Sequence, residues 1–284
     1  MKRAENKPLL SICIPTYNRA PFLDEAIESV ISQITDDIKD LVELCISDNA
    51  SEDNTEDIIN KWKAISPIPI VYHRNERNMG FDYNALKVVE IANGEYCWYL
   101  GSDDKIVDGA IKLVLNHLLE FDDTDILIAR SRIETDLEMK KILRRVDFFK
   151  EKLTYVDSSN RQDLLIFLKS VKNQAGIFGY LSVLVFRKSL WKIDDNTNDF
   201  LGTAFAYTYQ LFKILLNGCR LYIIDEPIVF CRTGNDSFAS EGIVKRSYID
   251  YDGYIKIADK LLSEDKDMYN EVIRVMKKHH SYRH

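Results

Sequence analysis

Leu9-Leu10-Ser11-Ile12-Cys13-Ile14-Pro15-Thr16-Tyr17-Asn18-Arg19 begins as a short apolar run and turns polar after Pro15. An apolar run of that length, ended by proline, reads as a buried strand. The next apolar residues, Phe22, Leu23, Ala26, Ile27, Val30 and Ile31, fall at helical period, and Pro21 suits a first turn. The pair then repeats. Val42 to Ser47 reads as a strand and Thr55 to Ile65 as an amphipathic helix; Ile68 to His73 is a strand and Asp82 to Asn93 a helix stopped by Gly94. Glu95 to Leu100 closes the series as a fourth strand. Strand and helix alternating in this way predict an α/β fold with a parallel sheet covered on both faces. In such sheets the ligand sits at the carboxyl ends of the strands.

All four strand ends are polar. They read Pro15-Thr16-Tyr17-Asn18-Arg19, then Asp48-Asn49-Ala50-Ser51-Glu52-Asp53-Asn54-Thr55, then Arg74-Asn75-Glu76-Arg77-Asn78-Met79-Gly80, and last Gly101-Ser102-Asp103-Asp104. Each has a local explanation: a proline turn, helix caps at Ser51, Asp53 and Asn54, a glycine at positive φ, a solvated acidic loop. Four such clusters on one edge of one sheet point together to a ligand site.

Beyond Asp104 the pattern is less regular. Val107 to Phe121 has helical period and Asp125 to Arg130 reads as a strand. Residues 132–152 are charged and show neither period. Tyr180 to Phe186 reads as a strand, Phe205 to Leu216 as a helix, and Leu221 to Phe230 as a strand interrupted by Pro227. From Tyr248 to His284 apolar residues recur at helical spacing.

The chain has 284 residues, 46% of them hydrophobic, and a net charge of −7 with both signs interspersed. That balance argues against a nucleic-acid partner, which would need a clustered basic face. The five cysteines lie mostly inside apolar runs at no metal-ligand spacing, and so read as reduced core thiols of a cytoplasmic protein. The charged residues Met1 to Lys7 do not read as a signal peptide, and no stretch approaches the ~20 apolar residues of a membrane helix. His73 and His117, in a strand and a helix, read as structural.

Taken together, Leu10 to Arg19, Ser47 to Thr55, Asn78-Met79-Gly80-Phe81 and Gly94 to Asp104 resemble the family-2 glycosyltransferases of the GT-A fold, particularly the bacterial O-antigen and capsule type. The resemblance is close over about the first 105 residues and weaker from Val185 to Ser237. It implies a Rossmann-like, mostly parallel sheet flanked by helices, with a helical C-terminal tail. Residues 1–105 would form the nucleotide-sugar donor half, 106–240 the acceptor half of the same domain, and 241–284 the tail. It further implies a nucleotide-diphosphate sugar donor, a glycan or lipid-linked acceptor, transfer with inversion, and a place at the cytoplasmic face of the membrane. The alternative it leaves open is a non-catalytic member that binds a nucleotide sugar. A dinucleotide or nucleotidyl-transfer enzyme would need a Gly-rich loop after the first strand, and there is none.

Carried onto this sequence, the resemblance makes Pro15, Thr16, Tyr17, Arg19, Asn78, Gly80 and Ser102 nucleotide-binding and gives Asp48 the base. Asp103 and Asp104 would hold Mg2+ or Mn2+ on the diphosphate, since hard cations take oxygen ligands. Asp103 would touch the nucleotide through that ion, and Arg232 would touch the diphosphate directly. Gly101 stands where the family has the first aspartate of its motif. Ala206-Tyr207 stand where the family has Glu-Asp, the latter its general base. Asp199, in the polar loop just before, is then the candidate catalytic base. Residues 237–243 would form a loop over the donor. Lys245, Arg246, Arg274, Lys277, Lys278 and Arg283 give the tail a basic edge, which is either a solvated helix face or a peripheral membrane contact.

Overall fold

The structure is a computed structural model and describes residues 7–235 and 243–281. In chain order its strands and helices are β1 (Leu10–Thr16), α1 (Ala20–Ile31), β2 (Val42–Asp48), α2 (Thr55–Ile65), β3 (Ile70–Arg74), α3 (Phe81–Ile91) and β4 (Tyr96–Tyr99). Next come β5 (Lys105–Ile106), α4 (Ala110–Glu120), β6 (Ile126–Ala129), β7 (Ser131–Thr135), β8 (Ile142–Asp147), β9 (Tyr155–Asp157) and α5 (Arg161–Ser170). The chain continues through β10 (Leu184–Arg187), α6 (Asp195–Asn198), α7 (Ala206–Leu216), β11 (Arg220–Ile224), β12 (Val229–Arg232), α8 (Ile243–Leu261) and α9 (Lys266–Ser281).

One sheet of eight strands runs β3-β2-β1-β4-β10-β6-β11-β9 and forms the centre of the molecule. Its first four strands are parallel, as the alternation predicts. Every residue of β1, β2 and β4 is buried, which is why their sequences are largely apolar, with Ser11, Glu43 and the strand-end residues Thr16, Ser47 and Asp48 as the polar exceptions. All five cysteines are buried and unpaired. Strand β10 then enters antiparallel to both β4 and β6, and β9 closes the far edge antiparallel to β11. A smaller sheet, β5-β12-β7-β8, stands beside it.

Two expectations need revision. The segment read as one strand interrupted by Pro227 is two strands in different sheets, β11 in the large one and β12 in the small one. Proline cannot donate to a ladder, and here the chain uses it to leave one sheet for the other. The charged stretch 132–152 contains an antiparallel hairpin, β7 with β8, with a register irregularity at Glu134/Thr135.

Side chains tie the layers together. Glu43, buried in β2, accepts from Ser11 Oγ at 2.6 Å and from the Asn93 N–H at 2.5 Å, fixing the turn into β4. A Cβ on Gly94 would stand 2.8 Å from the Ser11 backbone nitrogen, so only glycine lets this turn lie against β1. Arg274 on α9 donates from Nη2 to the carbonyls of Leu168 at 3.0 Å and Val171 at 3.3 Å, at the end of α5. A cation there satisfies carbonyls that a helix end leaves open. The tail is therefore packed on the domain, and Arg274 is spent inside it rather than at a membrane contact. Lys245, Arg246, Lys278 and Arg283 lie outside the residues whose side chains are described, as do residues 237–242 of the loop expected over the donor.

Candidate active site

The carboxyl ends of β1, β2 and β3 lie side by side, with Thr16 opposite Asp48 and Asp48 opposite Arg74 in register. Asn84, on α3, braces this edge. Its Nδ2 donates to the carbonyls of Thr16 at 3.1 Å and Ser47 at 2.9 Å, and its Oδ1 accepts from Ser47 Oγ at 2.7 Å. Asn49 holds the next loop: it donates to Asn78 Oδ1 at 2.7 Å and accepts from the Met79 N–H at 2.8 Å. Gly80 sits at φ 86, the turn that launches α3. Three non-glycine residues around the site, Asn18, Ala50 and Ala204, also have left-handed φ of 50, 62 and 67. Such conformations cost energy and collect at working sites.

Asp48 is fully buried. Its Oδ1 accepts from the Ser51 N–H at 2.9 Å and its Oδ2 from the Tyr72 hydroxyl at 3.0 Å, with Arg74 Nη1 at 3.9 Å. Burial and the Asp48 charge push the Tyr72 phenol above its ordinary value. The outer oxygen of this carboxylate is therefore screened by Tyr72 and Arg74. Pro15 and Ser102 are buried as well, Tyr17 is exposed, and the buried hydroxyl of Thr16 has no hydrogen-bond partner among the described residues.

Arg19 links this edge to the acidic pair after β4. Its Nη1 meets Asp103 Oδ2 at 2.5 Å, and Asn235 Nδ2 donates to the same oxygen at 3.0 Å. Asp104 is buried; its Oδ2 accepts from the Tyr180 hydroxyl at 2.6 Å and from Ser182 Oγ. Burial, and then the neighbouring Asp103 charge, push its carboxyl up to about 7. Gly101 separates the two acids from β4. A Cβ built there would lie 2.9 Å from Asp104 Oδ2, 3.3 Å from Asp103 Oδ1 and 3.3 Å from Ser182 Oγ. Three oxygens thus converge on the space an aspartate would fill in the family motif. The donor set is all oxygen, two carboxylates and a hydroxyl, which fits a hard divalent cation.

These acids border a cavity of about 830 Å3. Arg132, Glu134, Arg144 and Asp147 of the hairpin, Tyr180, Phe81, Tyr207 and Arg232 are among the side chains that line it. Of the residues singled out in the sequence, Asp103, Asp104 and Arg232 line it, whereas Pro15, Thr16, Tyr17, Arg19, Asp48, Asn78, Gly80 and Ser102 do not. Those eight belong to the neighbouring strand-end strip, with the Arg19–Asp103 pair as the junction.

Arg232 lines the cavity with its guanidinium already engaged. Nε donates to the Asp103 carbonyl at 3.1 Å, Nη1 to the Leu137 carbonyl, and Nη2 to Glu25 at 3.0 Å. It is a brace between four segments. Arg132 is the cation the sequence reading missed. It lies 4.5 Å from the centre of the Tyr180 ring, and its buried Nε has no partner among the described residues.

Asp199 is not part of the cavity wall. It caps the short helix α6, and its carboxylate pairs with Lys260 of α8 at 3.4 Å. A loop position in sequence says little about direction, and α8 supplies a cation that turns this residue away. The start of α7 is instead met by Asp82, buried in the first turn of α3. Its two oxygens accept from the N–H groups of Ala204 at 2.8 Å and Ala206 at 2.9 Å. The signal was an acid followed by Asn84 at buried positions of an otherwise apolar helix face. Among the described residues no group of three or more His, Cys, Asp or Glu side chains forms a ready metal cage, and no helix is long and apolar enough to cross a membrane.

Residues 11–184 match the sequence model of glycosyl transferase family 2. The chain is 35% identical over 260 residues to abequosyltransferase RfbV of Salmonella typhimurium, covering 90% of this chain and 76% of that protein. It is 26% identical over 266 residues to a GalNAc(5)-diNAcBac-PP-undecaprenol beta-1,3-glucosyltransferase of Campylobacter jejuni, covering 92% and 78%. Among solved structures, S. aureus TarS 1-349 in complex with UDP-GlcNAc aligns with a TM-score of 0.66 at 18% identity, covering 96% of this chain and 73% of that one. The mannosyltransferase PcManGT of Pyrobaculum calidifontis, with GDP-Man and Mn2+, aligns at 0.58 and 14% identity, covering 96% and 69%. At those identities the two structures establish a shared fold.

Proposed function

The chain belongs to glycosyl transferase family 2, and from that premise we propose that its strand-end strip holds the nucleoside diphosphate while the adjoining cavity receives the sugar and the acceptor. It is a glycosyltransferase of the type that builds cell-surface polysaccharide from nucleotide sugars. The observation that carries the finer reading is the junction itself. Arg19 and Asp103 pair where the strip meets the cavity, which is where a diphosphate must end and a sugar begin.

In this reading Thr16, Tyr17, Asn78 and Gly80 border the nucleoside. Asp48 takes an N–H of the base once Tyr72 or Arg74 has moved aside, and charge-assisted acceptors are the stronger ones. Asp103, with Asp104 behind it, would hold Mg2+ or Mn2+, which supplies Lewis acidity for the departing diphosphate. Arg19 and Arg132 supply cationic charge on the two sides of that oxygen cluster. Arg232 keeps Asp103, the hairpin turn and Glu25 in fixed relation.

The acceptor hydroxyl attacks the anomeric carbon from the face opposite the nucleotide, so transfer inverts the configuration. Its proton passes to a carboxylate of the cavity wall outside the metal-holding pair, Glu134 or Asp147, and not to Asp199. Burial pushes the Glu134 carboxyl up, but Arg132 and Arg144 hold it below its ordinary value, which weakens it as a base.

The test is release of nucleoside diphosphate from a panel of nucleotide sugars with Mn2+, followed by asparagine or glutamine substitution at each wall carboxylate. Loss of the base lowers turnover by ~10²–10⁴-fold with donor binding retained. Tight nucleotide-sugar binding with no release on any acceptor glycan would favour the non-catalytic alternative.

A further inference from the structure

The hairpin of β7 and β8 carries a surface that sugar transfer does not use. Its turn and outgoing strand read Leu137-Glu138-Met139-Lys140-Lys141-Ile142-Leu143-Arg144-Arg145. Strand β8 is the free edge of the small sheet, and Ile142 to Arg145 are all exposed. Ile142 exposes 62% of its surface, and Leu143 and Leu137 48% each. Leu143 is the extra residue where the β7–β8 register slips, so alternation is broken there and two aliphatic residues stand exposed side by side. Lys140, Lys141, Arg144, Arg145 and the register slip already blunt this edge against another strand, and two exposed aliphatic residues add nothing to that task.

Charge points the same way. The hairpin tip, residues 136–145, holds four Lys and Arg against two Asp and Glu, a local excess of +2 in a chain whose net charge is −7. Protruding aliphatic chains set among basic residues match a surface that is apolar just beneath a layer of negative headgroups. A nucleic acid would match the charge and leave the aliphatic groups unused.

The tip is also rigidly connected to the site. Leu137 gives its carbonyl to Arg232, which holds Asp103 by its backbone. Arg144, two residues or about 7 Å of strand beyond Ile142, is part of the cavity wall.

We propose that the β7–β8 hairpin docks the protein on an anionic bilayer. Leu137, Ile142 and Leu143 enter the headgroup boundary, and Lys140 and Lys141 lie at the level of the phosphates. The cavity then faces acceptors carried on lipid, a consequence that rests on the transferase reading above; the docking itself does not.

Cosedimentation of the full chain with vesicles tests it. Vesicles of phosphatidylcholine with phosphatidylglycerol should retain the protein at low salt, phosphatidylcholine alone should not, and high salt should release it. The double variant Ile142→Ser/Leu143→Ser should bind the anionic vesicles at least about tenfold more weakly. Lys140→Glu/Lys141→Glu should lose most of the binding to anionic vesicles at low salt, and what remains should no longer respond to added salt. Melting temperature and nucleoside diphosphate binding, read on the same preparations, should match the parent, since all four side chains are exposed. A parent chain left in the supernatant at low salt overturns the proposal, and so does equal sedimentation of the aliphatic variant. Vesicle binding is read without donor or acceptor, so its failure leaves the transferase reading standing. Intact binding without transfer sinks only the transferase reading.

Discussion

Asp103 carries two partners on a single oxygen, Arg19 and Asn235, while its other oxygen lies within 3.3 Å of the space above Gly101. The pair with Arg19 keeps the carboxylate aimed before any ligand arrives. Asp103→Asn preserves the shape and removes the charge. Nucleoside diphosphate binding, measured by calorimetry with and without Mn2+, should then lose its dependence on the ion, with affinity in Mn2+ falling at least about tenfold. A variant that kept the parent's response to Mn2+ would remove Asp103 from the metal role. His117 offers a test far from this site. Its ring packs between Phe121 and Tyr222, and burial holds the imidazole below its ordinary value against the pull of Glu120 and Asp123. A depressed imidazole contributes stability that is complete above the unfolded value of about 6.5. That stability is lost as pH falls through the folded value, because the unfolded chain takes the proton first. His117→Gln should flatten the fall in urea midpoint below about pH 6.5. An unchanged pH profile would show that the ring titrates freely in the fold.

Helix α7 begins without a side-chain cap of its own, and Asp82 of α3 does that work from across the domain. Asp82→Ala would leave the buried Ala206 N–H and the half-buried Ala204 N–H without this acceptor and release the wall that carries Phe205 and Tyr207. A loss of ~0.5–2 kcal/mol in urea unfolding is expected from the cap alone, with KM for the acceptor rising more than KM for the donor. Equal changes in both constants would mean that Asp82 only holds the fold together. The first seven elements could be read directly because the covered parallel strands are apolar through most of their length and their helices have one wet face. Of the later elements, β6, β10, α4 and α7 were legible too, but the β7–β8 hairpin and the division between β11 and β12 were not, because their strands are short and pair with partners far away in sequence. Pro227 was visible, but whether a proline breaks a strand or divides two sheets depends on pairing that only the fold reveals. The site followed the same division. Asp103 and Arg19 were legible at strand ends, whereas Asp199, Arg232 and Asp82 were decided by Lys260, Leu137 and Ala206, residues brought close only by the tertiary structure.

The large sheet is assembled out of sequence order. Strands β1 to β4 are contiguous in the chain and can pair as soon as they exist, but the outer edge of β4 is covered by β10, which begins 85 residues later, from Tyr99 to Leu184. On a ribosome adding ~5–20 residues per second, that edge stays open for roughly 4–17 s. During this interval the nascent chain presents Tyr96, Cys97, Trp98 and Tyr99 on an unpaired strand, the kind of segment that recruits a neighbour's strand. Synthesis of this protein should therefore pass through one vulnerable window, closed by the arrival of β10. Ribosome-bound chains arrested with 110 to 180 residues emerged should bind a holdase chaperone, and chains arrested well past residue 200 should release it. Crowded polysomes, high temperature and fast overexpression should cost yield in that window, even though the finished fold buries the strand completely.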